Sequence, residues 1–79
     1  MLTIPELVRE VVECLVDKPE SVKIEENSGE RTTVINIMVP KEEVGKIIGR
    51  EGKIITAIRT ICENIAAKYS KRVNIHIID

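Results

Sequence analysis

Residues 44–59 read Val44-Gly45-Lys46-Ile47-Ile48-Gly49-Arg50-Glu51-Gly52-Lys53-Ile54-Ile55-Thr56-Ala57-Ile58-Arg59, an apolar pair running into a Gly-x-x-Gly step and then into a long helical pattern. Two glycines three apart let the chain reverse sharply and bring bare main chain close to another molecule, because neither has a Cβ in the way. A helix must therefore end before the step and another begin after it. Lys46, Arg50, Lys53 and Arg59 surround the glycines against one carboxylate, Glu51, in a chain whose net charge is −1. Positive charge thus gathers where the backbone is least covered, an arrangement suited to a phosphate chain.

The same segregation holds on the larger scale. Residues 1–40 hold four basic and eight acidic side chains, and residues 41–79 hold eight basic and five acidic. An acidic chain repels a polyanion unless its cations are grouped, and here one half groups them. The 79 residues suit one small domain, residues 1–79, with a modest core. Cys14 and Cys62 lie in separate helical patterns and read as small buried core residues in a reducing compartment, not as a disulfide or metal pair. The longest apolar runs fall far short of a membrane span and no cleavable leader pattern opens the chain, so a cytoplasmic protein is expected.

Apolar residues Ile4, Leu7, Val8, Val11, Val12 and Leu15 recur at the spacing of an amphipathic helix. Thr3 and Glu6 form a capping-box pattern, Pro5 suits the first turn, and Pro19 stops the helix near Val16. Val22 to Glu25 and Thr32 to Val39 alternate as strands, and the Asn27-Ser28-Gly29-Glu30 link predicts an antiparallel hairpin. Lys41 to Ile48 makes two helical turns ended by Gly49. From Gly52 onward Ile55, Ile58, Cys62, Ile65 and Tyr69, flanked by Ile54, Ile61 and Ala66, form the widest apolar stripe. The chain closes with a half-buried strand, Arg72 to Ile78, with Val73, Ile75 and Ile77 facing inward and His76 at the surface. The expected class is α+β in the order α-β-β-α-α-β, a three-stranded mixed sheet with three helices packed on one face.

With that order in place, Ile47-Ile48-Gly49-Arg50-Glu51-Gly52-Lys53-Ile54-Ile55 resembles the core of a KH domain, and the helix and strand preceding it resemble the type II arrangement. The segments Val16 to Val22, Val44 to Gly49, Ala57 to Thr60 and Lys71 to Asp79 are similar to the KhpA family of small bacterial single-KH RNA-binding proteins. The likeness covers essentially the whole chain. It implies a non-enzymatic, cytoplasmic, KhpA-like protein that binds short single-stranded RNA with low sequence specificity, as an RNA chaperone or post-transcriptional regulator. It also implies a homodimer or a heteromer with a larger KhpB-like protein, and no cofactor. Carried onto this chain, Gly49, Arg50, Glu51 and Gly52 clamp about four nucleotides of backbone. Lys46 and Lys53 flank that clamp, Ile47, Ile48 and Ile55 line an aliphatic groove, and a strand edge supplies the opposite wall. At the third tetrad position the family often has a neutral or basic residue, so Glu51 predicts modest affinity.

Taken alone, a Gly-x-x-Gly step is an ordinary tight turn between packed helices; the apolar pair before it and the grouped cations distinguish this one. Arg59 is read either as a phosphate contact or as a partner in a local ion pair. Lys71 and Arg72 either extend the basic surface or guard a strand edge. Tyr69 is the only aromatic residue, which excludes stacking platforms as the mode of base contact. The rival class is an interaction module, in which a KH scaffold dimerises or docks a protein with little RNA binding. Neither an activated nucleophile, nor a carboxylate pair, nor a P-loop spacing is present, so an enzyme is not expected.

Overall fold

A computed structural model describes residues 2–79. The elements are α1 (Ile4–Leu15), a 3-10 turn at Pro19–Ser21, β1 (Lys23–Ser28), β2 (Thr32–Met38), α2 (Lys41–Ile48), a 3-10 turn at Arg50–Gly52, α3 (Lys53–Lys68) and β3 (Arg72–Ile78). Helix α1 starts where the sequence places its cap. The Glu6 amide donates to Thr3 Oγ1 at 3.3 Å while the Thr3 amide donates to Glu6 Oε1 at 2.8 Å. Two amide groups without helical partners are satisfied reciprocally, and the Thr3 amide, then the Thr3 hydroxyl, holds the Glu6 carboxyl below its ordinary pKa.

The sheet order is β1-β2-β3, with β1 antiparallel to β2 and β2 parallel to β3. A parallel neighbour needs a crossover, and α2 with α3 supplies it. Val8 and Val12 of α1, Ile47 of α2 and Ile55, Ile58, Cys62 and Ala66 of α3 meet Ile35, Ile37, Val73 and Ile75 in one core. The helices cover one sheet face, and Asn74 and His76 lie exposed on the other.

Two core expectations are corrected. Cys14 is exposed, because the buried side of α1 passes through Val8 and Val12 and a residue two further on points the other way. In α3 the buried stripe runs Ile55, Ile58, Cys62, Ala66, and Tyr69 caps the helix with 56% of its surface exposed. The small Ala66 side chain lets the turn into β3 fold back closely, with the Lys71 amide donating to Ala66 O at 2.9 Å.

The edge of the sheet follows from hydrogen-bond parity. Arg72 N donates to Arg31 O at 2.7 Å, and Ile78 O accepts from Val39 N at 3.3 Å. Even-numbered residues of β3 therefore bond to β2, which leaves the main-chain groups of Val73, Ile75 and Ile77 on the open edge beside α3.

Candidate nucleic-acid interface

The glycine turn is built by three uncommon backbone conformations within four residues, on either side of Arg50. Gly49 has φ 77° and ψ 175°, Glu51 φ 57° and ψ 26°, and Gly52 φ 73° and ψ 15°. Gly49 sits in a region that essentially only glycine occupies, and a Cβ there would lie 2.5 Å from Ile54 Cγ1. Its amide closes α2 on Gly45 O at 2.9 Å, and the Gly52 amide then donates to Gly49 O at 3.2 Å. The chain leaves one helix and starts the next with only four residues between them. The first amides of α3 receive no side-chain cap from Gly52, and Arg50 stands within the turn that precedes them.

Arg50, Glu51 and Lys53 are exposed, and none of them makes an ion pair among the described residues. Glu51 therefore keeps an uncompensated negative charge at the tip of the turn. Lys46 is placed differently from its expected role. Its ammonium lies 2.8 Å from Glu43 Oε1 and 3.0 Å from Asp17 Oδ2, and these carboxylates raise its pKa. Glu43 is only 3% exposed and also accepts the Lys18 amide at 3.0 Å and, more weakly, the Asp17 amide at 3.4 Å. The hydrogen bond from Lys46, then that from the Lys18 amide, holds the Glu43 carboxyl below its ordinary range. Lys46 thus belongs to a clasp that fastens the α1–β1 connection to α2.

The aliphatic groove also changes. Ile47 and Ile55 are buried in the core, because their helical positions face the sheet, and they support the turn from beneath without lining a cleft. Of the three isoleucines assigned to the groove only Ile48 reaches solvent, at 37% exposure. Strand β3 lies beside α3, with an open edge. Arg59 spans from α3 to it, donating from Nε and Nη2 to Ile75 O at 3.1 and 3.0 Å. It makes no ion pair among the described residues. Its fork thus occupies the Ile75 carbonyl on the open edge of β3.

Beyond Arg59 the furrow between α3 and β3 widens into a cleft of about 820 Å³ lined by Arg31, Glu63, Lys71, Arg72 and Asn74 among others. Arg31 was not singled out by sequence reasoning, since only the pairing of Thr32 with Arg72 brings it here. Among the described residues no group of three or more His, Cys, Asp or Glu side chains could hold a metal ion. No helix there is long and apolar enough to cross a membrane.

Comparison with known proteins gives three findings. The family model described as KhpA/KhpB, KH domain matches residues 5–77. RNA-binding protein KhpA of Borreliella burgdorferi is 45% identical over 74 residues, 94% of this chain and 90% of that protein. RNA-binding protein KhpA of Clostridium perfringens is 42% identical over 73 residues, 92% and 97% of the two chains. Among solved structures, Aquifex aeolicus Era bound to GDP and aluminium fluoride superposes with a TM-score of 0.60 at 20% identity, covering 95% of this chain and 30% of that one. Era in complex with MgGDPNP and a segment of 16S ribosomal RNA gives 0.58 at 21% identity, again over 30% of its length. These two likenesses concern the fold.

Proposed function

Because the chain belongs to the KhpA/KhpB KH-domain family, we propose that it binds single-stranded RNA at the Gly49–Gly52 turn, gripping the phosphate backbone with little regard for sequence. The observation that carries this reading is the turn itself: exposed Arg50 and Lys53, unpaired, beside open amides at the start of α3. Phosphate contacts of this kind position a strand without reading it. The absence of any aromatic platform beside the turn fits the same conclusion. The role we assign is that of an RNA chaperone or post-transcriptional regulator in the bacterial cytoplasm, without catalysis and without a cofactor.

Replacing Arg50 and Glu51 together by Asp tests the assignment, since both side chains are exposed and the glycine geometry is untouched. Affinity for an octauridylate in fluorescence anisotropy is expected to fall about tenfold at low salt, with a shallower dependence on log salt. Unchanged affinity in a folded variant would remove the turn from the binding site.

A second reading adds to the first. Helices α1 and α3 leave an apolar cleft of about 350 Å³ between Leu7, Val11, Leu15, Ile54, Ala57 and Ile61, and Ile61 is 56% exposed. We assign this face to self-association or to pairing with a KhpB-like KH protein, which would join two weak RNA sites and raise apparent affinity through effective concentration. Ile61→Glu is expected to leave the fold intact and to convert the sedimenting species to a monomer. A wild-type chain that is monomeric at high micromolar concentration, with and without such a partner, contradicts it.

A further inference from the structure

Three cations from two separate segments meet at the far end of the α3–β3 furrow. Arg31 ends the β1–β2 turn, and Lys71 and Arg72 open β3; the Arg72 amide bonded to Arg31 O at 2.7 Å draws the two segments together. All three side chains are exposed and none is ion-paired among the described residues. They line one cleft in which Glu63 is the sole carboxylate. Cations that merely guard a strand edge need not share a cleft with a third from another segment, whereas these line one with Arg31.

Helix α3 links the cleft to the glycine turn, the turn preceding its first residue, Lys53, and the cleft lying against its last turns. Arg59, Glu63 and Ala67 follow one another along a single face of α3 at four-residue steps, and Arg59 bridges to Ile75, the residue next to Asn74 of the cleft. Two of the Arg59 nitrogens hold the strand edge, and Nη1 remains free to face a passing backbone. From Lys53 to Ala67 the helix rises about 21 Å. Cations at the two ends of that length, at the turn and at the start of β3, suit a linear polyanion, since a compact anion could use only one end.

We propose that Arg31, Lys71 and Arg72 form a second phosphate site for the same RNA strand, so that the RNA runs from the glycine turn over Arg59 to the start of β3. This rests on the reading that the turn binds RNA, and the experiment separates the two. Binding of fluorescein-labelled tetrauridylate and octauridylate is measured for the unmodified chain and for Arg31→Gln with Lys71→Gln, both positions being exposed and far from the turn. A thermal melt verifies that the variant is folded.

The variant is expected to bind octauridylate about fivefold more weakly, with the slope against log salt reduced by about 1.4, and to bind tetrauridylate as before. Unchanged octauridylate binding overturns the second site and leaves the turn assignment standing. Equal loss for both lengths also overturns it, because the cations would then act on the turn or on the overall field. Failure of the unmodified chain to bind either oligonucleotide rejects the turn assignment and this extension together.

Discussion

Gly49→Ala is expected to remove at least a third of the folding stability of the domain, whereas Gly52→Ala, three residues away in the same motif, is expected to be mild. At Gly49 two penalties coincide. The backbone conformation, φ 77° and ψ 175°, is one that a residue with a Cβ adopts only under strain, at about 1–3 kcal/mol. The new methyl would also meet Ile54 Cγ1 at 2.5 Å, Ile54 Cβ at 2.9 Å and Ile54 Cδ1 at 2.9 Å. The Ile54 Cβ is fixed to the α3 backbone, so rotation of the side chain cannot relieve the overlap, and repacking costs about another 1–3 kcal/mol. Together these reach about 4 kcal/mol, against about 4–12 kcal/mol for a chain of 79 residues. Gly52 has φ 73° and open space at its Cβ position, leaving a left-handed penalty of about 1 kcal/mol. Urea unfolding of the two variants checks the contrast, and equal midpoints would refute it. The first glycine is thus a folding residue whatever it contacts, which is why Arg50 and Glu51 are the better positions for testing RNA contact.

Glu43→Gln is expected to lower the melting temperature by roughly 10 °C at neutral pH. Every recorded contact of this carboxylate is with a donor: Lys46 Nζ, the Lys18 amide and the Asp17 amide. A glutamine must turn its own amino group toward one of them, so a buried donor faces a donor. The pH dependence has a definite sign. The Glu43 pKa is depressed below its ordinary value of 4.5 in the folded chain, so its contribution is fully present above that value and is lost as the pH falls through the folded pKa. Glu6 is depressed in the same sense by Thr3 and acts over the same acid window. Lys46 is raised above its ordinary 10.5; its share is present below that value and is lost as the pH rises through the folded pKa. Melting curves between pH 3 and 7 are therefore expected to flatten in the variant, the residual acid dependence belonging partly to Glu6. A variant as acid-sensitive as the unmodified chain would show that the clasp contributes nothing. With the clasp open, the connection after α1 loses its anchor to α2, one turn before the glycine step.

The elements were legible because their signals are local. The Thr3–Glu6 cap, the stop at Pro19, the alternation through Thr32 to Met38 and the glycine turn each depend on residues within one or two turns of one another. Burial was less legible. Cys14 and Tyr69 are of types often found inside, and their exposure depends on how α1 and α3 are rotated against the sheet. The same rotation put Ile47 and Ile55 beneath the turn and left Ile48 at the surface. Lys46 and Arg59 carry charge of the expected sign, yet one is claimed by Asp17, twenty-nine positions earlier, and the other by the Ile75 carbonyl.

Periodicity, caps and turn residues, all short-range in the chain, determined by themselves the order α-β-β-α-α-β and the place of the Arg50 turn. The parallel pairing of β2 with β3 was decided only in three dimensions. That pairing makes β3 the wall of the furrow, sets Arg31 beside Arg72 and separates cations available to a phosphate from those already bound within the protein. The physical reason is that hydrogen-bond partners and ion pairs depend on distance in space, and residues far apart in the chain become neighbours only when the sheet and helices pack.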